Sequence, residues 1–340
     1  MPIGMSLLRK SYRMTVYLIR RLLSSFLLVI ALLSVVFFVI HAAPGDPLDL
    51  YADSDLDASQ RDLIRQRLGL DLPVWQQYIH WLAAVLWHGD FGTSLRQHRP
   101  VREILQEAIP NTLLLTVAAF VLHFLIAIVA GVLLARHRGH PWERTATVSG
   151  LAVYSLPNFW LGLMLILLFS RQLGWFPTGG MMSLDAEYLP WPRYLLDRLH
   201  HMVLPVLMLG MGSAMATARY LRNSLSEVLE QDYVLAARAK GLPERTVLVK
   251  HALRNGLLPV ITLIGLSFPF LLGGAVATEV IFAWPGMGRV TIDAIWARDY
   301  PVIMATTALA AVMVVVGNLL ADLLYGWADP RVRLTTKDVP

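Results

Sequence analysis

The chain has 340 residues, of which 56% are hydrophobic and 16% charged, with a formal net charge of +5 and no cysteine. Soluble domains run nearer about 45–50% apolar and about 25% charged, so this balance points to a bilayer as the solvent for much of the chain. The lack of cysteine excludes disulfides, thiolate metal sites and a cysteine nucleophile, and leaves the redox compartment unreadable.

The apolar residues arrive in long blocks and not with a period of two or 3.6, the pattern of membrane spans. The first block, Leu22–Ile40, holds 19 residues without charge or proline, enough to cross a hydrocarbon core of about 30 Å. Basic residues Arg9, Lys10, Arg13, Arg20 and Arg21 precede it. A cleaved signal peptide is the competing reading, but its apolar region usually runs about 7–15 residues, so the block is read as a signal anchor.

The next segment, 41–111, is long enough for a small structure of its own. Pro44-Gly45-Asp46-Pro47 stops the first helix, and Ser59–Leu68 reads as an amphipathic helix ending at Gly69. Pro73 opens a further stretch, Trp75–Trp87, with Trp75, Tyr78, Trp81 and Trp87 suited to a membrane–water boundary. The plain reading is a small lid on the outer face; direct contact with a substrate is the alternative.

Five more blocks follow at roughly 112–135, 148–170, 202–218, 257–281 and 302–325, which makes six spans and puts both termini on one side. Segments on the side of the termini (1–21, 136–147, 219–256 and 326–340) carry 18 Lys and Arg in 86 residues, against 11 in 121 for the opposite segments. The positive-inside rule therefore makes the termini cytoplasmic. The basic excess is topology, not a nucleic-acid surface.

Segment 219–256 is the one long cytoplasmic loop. Ser226–Lys240 contains good helix formers and no breaker; Gly241 suits the left-handed position past a helix, and Pro243 the first position of the next. A second helix runs from Glu244 to about Leu253, with Pro259 at the entry to the fifth span. Ala236, Ala237, Ala239 and Gly241 are small and allow close approach, while Arg238, Lys240, Arg245 and Lys250 surround them with positive charge. The residues leave two readings open: a docking knob for a partner, or a basic hairpin resting on anionic lipid.

The run Tyr233-Val-Leu-Ala-Ala-Arg-Ala-Lys-Gly241, followed by His251-Ala-Leu-Arg-Asn-Gly-Leu-Leu-Pro259, resembles the "EAA" loop of binding-protein-dependent ABC importers. Ala236, Ala237 and Gly241 match its Ala-Ala-x3-Gly core. Leu235 stands where the general motif has glutamate, and the distance from Gly241 to Pro259 is longer than usual; both departures are similar to the dipeptide, oligopeptide and nickel branch. The resemblance covers about residues 15–333, through Pro44–Pro47, Leu68–Pro73 with Gln77-Tyr78, Gly89–Ser94, Leu156–Trp160, Trp284–Gly288, Arg298–Val302 and Asp329–Arg333.

The resemblance implies an all-α membrane protein with six transmembrane helices of the type I ABC importer kind. A small outer-face domain, 41–111, would lie between helices 1 and 2, a core permease region would span 112–325, and 326–340 would form a cytoplasmic tail. It implies a multi-pass inner-membrane location and the role of the first of two permease subunits, forming half of a pathway for di- or oligopeptides. The implied partners are a homologous second permease, two ATP-binding subunits, an extracytoplasmic solute-binding protein and membrane lipid. Tyr233, Ala236, Ala237, Arg238, Ala239, Lys240, Gly241 and Leu242 would couple to the ATPase. The chain has no Gly-x4-Gly-Lys-Ser/Thr loop and no catalytic constellation, so ATP and Mg would be held by the ATP-binding subunits and no cofactor by this chain.

Ionisable residues inside spans are costly; here they are His123, Glu279 and Asp322. Glu279, with Trp284, Pro285 and Gly286, reads either as a gate or pathway element or as an interfacial hydrogen bond. Asp322 reads as a snorkelling or arginine-paired group, and His123 as an interhelical contact in preference to a metal ligand. His200-His201 raises nickel, but no metal site is assigned. Pro157, Pro205 and Pro269 fit kinks along a path or simple packing. Alternatives are the same machine carrying nickel or a metal chelate, an ion-coupled secondary transporter, and an intramembrane enzyme; the last two need buried polar clusters that the spans lack.

Overall fold

The computed structural model describes the backbone of residues 3–42, 63, 65–66, 69–273 and 275–328, and side chains over 19–42, 63, 65–66, 69–269 and 275–322. The expected stop at Pro44–Pro47, most of the expected Ser59–Leu68 helix, and Asp329–Arg333 with the rest of the tail lie outside the described residues.

Among the described residues the chain is helical: α1 Ile3–Ala42, α2 Val74–Ala83, α3 Val101–Arg136, α4 Pro141–Tyr154, α5 Asn158–Gln172, α6 Trp191–Gly212, α7 Ala214–Leu229, α8 Asp232–Ala239, α9 Glu244–Gly256, α10 Leu258–Gly273, α11 Val276–Ile281, α12 Met287–Trp296 and α13 Tyr300–Ala328. Three stretches are long and apolar enough to cross a membrane unbroken: Ile19–Ala42, Val101–Arg136 and Tyr300–Asp322. Three more candidates are bent pairs, α4 with α5 at 101°, α6 with α7 at 44° and α9 with α10 at 46°.

Residues 1–106 and 290–315 form one compact unit. In it Leu33 and Phe37 of α1 are buried against Met304 and Ala308 of α13, with Tyr78 and Trp81 of α2 half-buried beside them. The Ser34 hydroxyl lies 2.6 Å from the Tyr78 hydroxyl. The other face of α1 leaves Leu28, Val35 and Val39 about 60% or more exposed, an apolar surface that water would penalise and lipid would not. α2 follows Pro73 as expected, and a wider π-helical turn carries it to His88, where Gly89 at φ +62° ends it.

The loop between α2 and α3 is fixed by Asp299, which is 2% exposed. Its carboxylate accepts hydrogen bonds from the Ser94 hydroxyl (2.5 Å), Leu95 N–H (3.1 Å) and Arg96 N–H (3.3 Å). Removing it strands three donors, each worth about 1 kcal/mol or more when left buried and unpaired. Asp299→Ala is expected to destabilise this unit by about 2–4 kcal/mol, and Asp299→Asn by less. Thermal unfolding in detergent measures both.

The second unit comprises residues 107–289 and 316–340. Among its described residues one apolar cluster joins Phe124 and Ala135 of α3, Leu221, Leu225 and Val228 of α7, Val234 and Ala237 of α8, Val247 and Ala252 of α9, and Val260 of α10. This cluster explains a departure from the sequence reading. Ser226–Lys240 lacks a breaker, yet the helix stops at Leu229 and restarts at Asp232, with Gln231 extended between them (φ −78°, ψ 147°). The turn buries Val234 completely, which a straight continuation of α7 would carry away from the cluster. The second helix runs on past Leu253 to Gly256 through a π-helical turn at Val247–Ala252. The block at 257–281 is likewise interrupted: α10 ends at Gly273 and α11 is a separate helix of 6 residues.

Candidate functional site

The elbow between α8 and α9 is built by local chemistry. Gly241 adopts φ +76°, the left-handed conformation that closes a helix without a β-carbon penalty. Its N–H donates to the Arg238 carbonyl at 2.9 Å, and Lys240 N–H to the Ala236 carbonyl at 3.1 Å. Pro243 then caps α9, its carbonyl accepting from Thr246 (2.8 Å) and Val247 (3.1 Å). Across the elbow, Arg238 grips Glu244 in a two-pronged pair: Nη2 to Oε1 at 2.7 Å and Nε to Oε2 at 3.2 Å. Behind it, Asn255 Nδ2 donates to the Tyr233 hydroxyl at 2.8 Å.

Burial divides the eight residues singled out from the sequence. Ala237 is buried in the cluster beneath the elbow, so it supports the surface and does not form it. Tyr233, Leu235, Ala236, Arg238, Ala239, Lys240, Gly241 and Leu242 are all exposed. Leu235 (47%) and Leu242 (38%) thus add apolar surface to a patch of alanines rimmed by Arg238 and Lys240. Leu235 entered the sequence reading only as a departure from a motif.

The loop before α4 and the first turn of α4 also brace the region of the elbow, which the sequence did not reveal. Arg138 pairs with Glu230 at the α7–α8 turn (2.8 Å), and the buried Glu143 pairs with Arg222 of α7 (3.0 Å). No apolar periodicity marks these partners.

Electrostatics make the Arg238–Glu244 clasp pH-dependent. The hydrogen bond from Arg238 holds the Glu244 carboxyl below its ordinary value; burial works against this, and the charges of Arg238 and Arg136 reinforce it. The same hydrogen bond raises Arg238 above the usual arginine value. A depressed folded-state carboxyl stabilises the elbow above its unfolded pKa and loses that stabilisation as pH falls through the folded pKa. Hydrogen-exchange protection over residues 238–246, measured relative to the intrinsic rate at each pH, is therefore expected to fall on acidification below the ordinary glutamate range. Glu244→Gln should be loose at every pH and flatten the dependence. The effect is small, because both side chains are largely in water.

A second constellation surrounds Glu279. It is fully buried, its Oε1 accepting from the Thr112 hydroxyl (2.8 Å) and its Oε2 from Arg289 N–H (3.1 Å). The Thr112 oxygen in turn accepts from Met287 N–H at 2.8 Å. Asn111 Nδ2 donates to the Pro285 carbonyl, and Trp284 Nε1, fully buried, donates to the Asn111 carbonyl, both at 2.9 Å. Glu279, Trp284, Pro285 and Gly286 are thus brought together as a loop clamped to the α3 residues Asn111 and Thr112. The sequence reading missed that pair because it lies where an apolar block begins, where polar residues look interfacial.

The remaining candidates are separate. His123 Nε2 is 3.0 Å from the Thr217 hydroxyl and its Nδ1 3.4 Å from that of Ser213, an interhelical contact. His200 Nε2 donates to the Trp175 carbonyl at 2.7 Å, while His201 Nδ1 donates to the Asp197 carbonyl at 2.9 Å, so the adjacent histidines are engaged by different groups. Asp322 is half-buried near the end of α13.

Comparison with known proteins gives the family. Residues 127–334 match the family described as binding-protein-dependent transport system inner membrane component, and 14–116 match its N-terminal membrane-component counterpart. The chain is 43% identical over 320 residues to the oligopeptide transport system permease protein AppB of Bacillus subtilis (strain 168), covering 94% of this chain and 99% of that protein. It is 41% identical over 315 residues to the dipeptide transport system permease protein DppB of Escherichia coli (strain K12), covering 87% and 92%. With the glutathione transport system permease protein GsiC of Escherichia coli (strain K12) it shares 38% identity over 317 residues, covering 93% and 98%. Its fold is that of a chain of the MetNI methionine ABC transporter in inward-facing conformations, at TM-score 0.53 and 19% identity over 67% of this chain and 97% of that one. The chain belongs to the binding-protein-dependent transport system inner membrane component family and is a permease subunit of an ABC importer.

Proposed function

We propose that this subunit forms half of the translocation pathway for di- or oligopeptides and receives the ATPase on the elbow between α8 and α9. The observation that carries the reading is the exposed patch of Leu235, Ala236, Ala239 and Leu242 on a hinge stiffened by Gly241, Pro243 and the Arg238–Glu244 clasp. Small side chains let a partner surface approach, and force transmission requires a stiff lever. A basic hairpin lying on lipid would need no such clasp. The peptide cargo follows from the transport systems named for the AppB and DppB relatives, and it is favoured over nickel on that ground.

The termini lie in the cytoplasm, on the side of the elbow. A homologous second permease completes the pathway, two ATP-binding subunits hold ATP and Mg, and an extracytoplasmic binding protein delivers the peptide. Co-expression and purification of the assembled complex, followed by uptake into proteoliposomes, tests the reading. ATP-dependent accumulation of peptides, competed by peptides and not by nickel, is expected. Uptake by this chain alone, driven by an ion gradient without ATP, would falsify it.

A further inference from the structure

Two helix breaks in the second unit face one cavity. The α4–α5 pair turns through 101° around Leu156-Pro157, and the α6–α7 pair through 44° at Gly212–Ser213. α4 packs against α7 and α5 against α6, so the two bent pairs run side by side with their breaks in register. Between them lies a cavity of about 350 Å³ lined by Tyr154, Leu156, Pro157, Asn158, Leu209, Gly212 and Ser213.

Loose packing does not explain this space. On one side of the breaks a β-carbon at Gly150 would come within 2.5 Å of Met215, and on the other a β-carbon at Gly162 within 2.6 Å of the Met208 sulfur. The helices touch closely on both sides of the breaks, and at the breaks themselves Gly212 lies against Asn158, whose Oδ1 would be 3.0 Å from a β-carbon there. The cavity wall carries no charge and mixes apolar side chains with polar ones. Asn158 offers an amide donor and acceptor, Ser213 a hydroxyl, and the polar track continues through His123 to Thr217. Asn158, Ser213 and His123 all fall within apolar blocks that the sequence assigns to spans. Non-helical backbone at membrane depth is tolerated where protein buries it or where it lines water, and Asn158 and Ser213 are exposed in this chain.

We infer that the paired breaks line a segment of the translocation path, where Asn158 and Ser213 contact the main chain of a passing peptide. This assignment rests on the importer reading above. Neutral groups that both donate and accept hydrogen bonds suit an amide backbone and do not discriminate among side chains. Breaks at Pro157 and Ser213 also supply the hinges through which each half-span can move between access states.

The natural lack of cysteine makes the test specific, because any thiol label on this chain reports the introduced residue. Ser213→Cys, nearly isosteric, and Asn158→Cys are placed singly in the assembled complex in proteoliposomes and exposed to a hydrophilic, membrane-impermeant thiol reagent. Leu28→Cys, on the apolar exposed face of α1, is the lipid-facing control. Both cavity positions are expected to react at least about tenfold faster than Leu28→Cys, and trapping with ATP and vanadate is expected to change their rates at least about threefold. Turnover with peptide-loaded binding protein should slow them. Reaction as slow as at Leu28→Cys in every state, or fast reaction that neither nucleotide nor peptide moves, overturns the assignment while leaving ATP-driven uptake intact. Gradient-driven uptake without the ATPase would instead overturn the importer reading and leave the labelling pattern untouched.

Discussion

Gly286→Ala is expected to destabilise the second unit by about 3 kcal/mol or more, enough to lower the yield of folded protein and its unfolding midpoint in detergent. A β-carbon there would lie 2.5 Å from the Glu279 carboxyl carbon and 2.6 Å from both its oxygens. A flexible surface carboxylate could swing aside. This one cannot, because it is fully buried and Thr112 and the Arg289 N–H hold its two oxygens. Displacing it would strand two buried donors, and Trp284, whose backbone N–H donates to the Glu279 backbone carbonyl at 2.8 Å, would lose its seat. Glu279→Gln gives the contrast. The amide keeps the shape, can turn its oxygen to Arg289 N–H and let Thr112 accept from its nitrogen, and so is expected to cost only about 1–2 kcal/mol. Equal losses in the two variants would show that crowding at Gly286 is not the controlling term.

The second large effect is functional. Gly241 stands in open space, with nothing within 4 Å of where a β-carbon would sit. Gly241→Asp therefore meets only the left-handed backbone penalty, about 1 kcal/mol, and should leave the fold in place. It also puts a carboxylate on the patch between Lys240 and Leu242. Loss of docking should reduce ATP-driven uptake by at least about tenfold, a change of about 1.4 kcal/mol or more in the coupling interaction. Asp is chosen over larger residues because it tolerates the left-handed region better. The comparison that matters is uptake against unfolding midpoint in the same preparation: a variant that unfolds early has lost its fold, whereas one that stays folded and stops transporting has lost its partner.

What could be read from the chain without coordinates depended on whether the cause was local. Gly241 and Pro243 announced the elbow because glycine and proline act through their own backbone. Pro157 likewise marked a kink site in the third block, although the angle of 101° depends on how α4 and α5 pack on their neighbours. The break after Leu229 carries no such punctuation; only the burial of Val234 against α7 and α9 demands it. Ala237 and Ala236 look equivalent in the motif, and the register of α8 sends one inward and leaves the other exposed. The clamp on Glu279 joins residues 167 positions apart, a separation that no local pattern encodes. Arg138 and Glu143 were hidden for the opposite reason: charged residues in a short loop or the first turn of a helix look like ordinary solvated surface until a partner is seen.

Docking of the ATPase on the elbow is tested by replacing exposed Lys240 with a photo-crosslinking amino acid, assembling the full complex and irradiating it. The expected product joins this chain to an ATP-binding subunit, with a yield that changes between nucleotide-free and ATP-trapped states. A complex that assembles and hydrolyses ATP but crosslinks from position 240 only to lipid would contradict it.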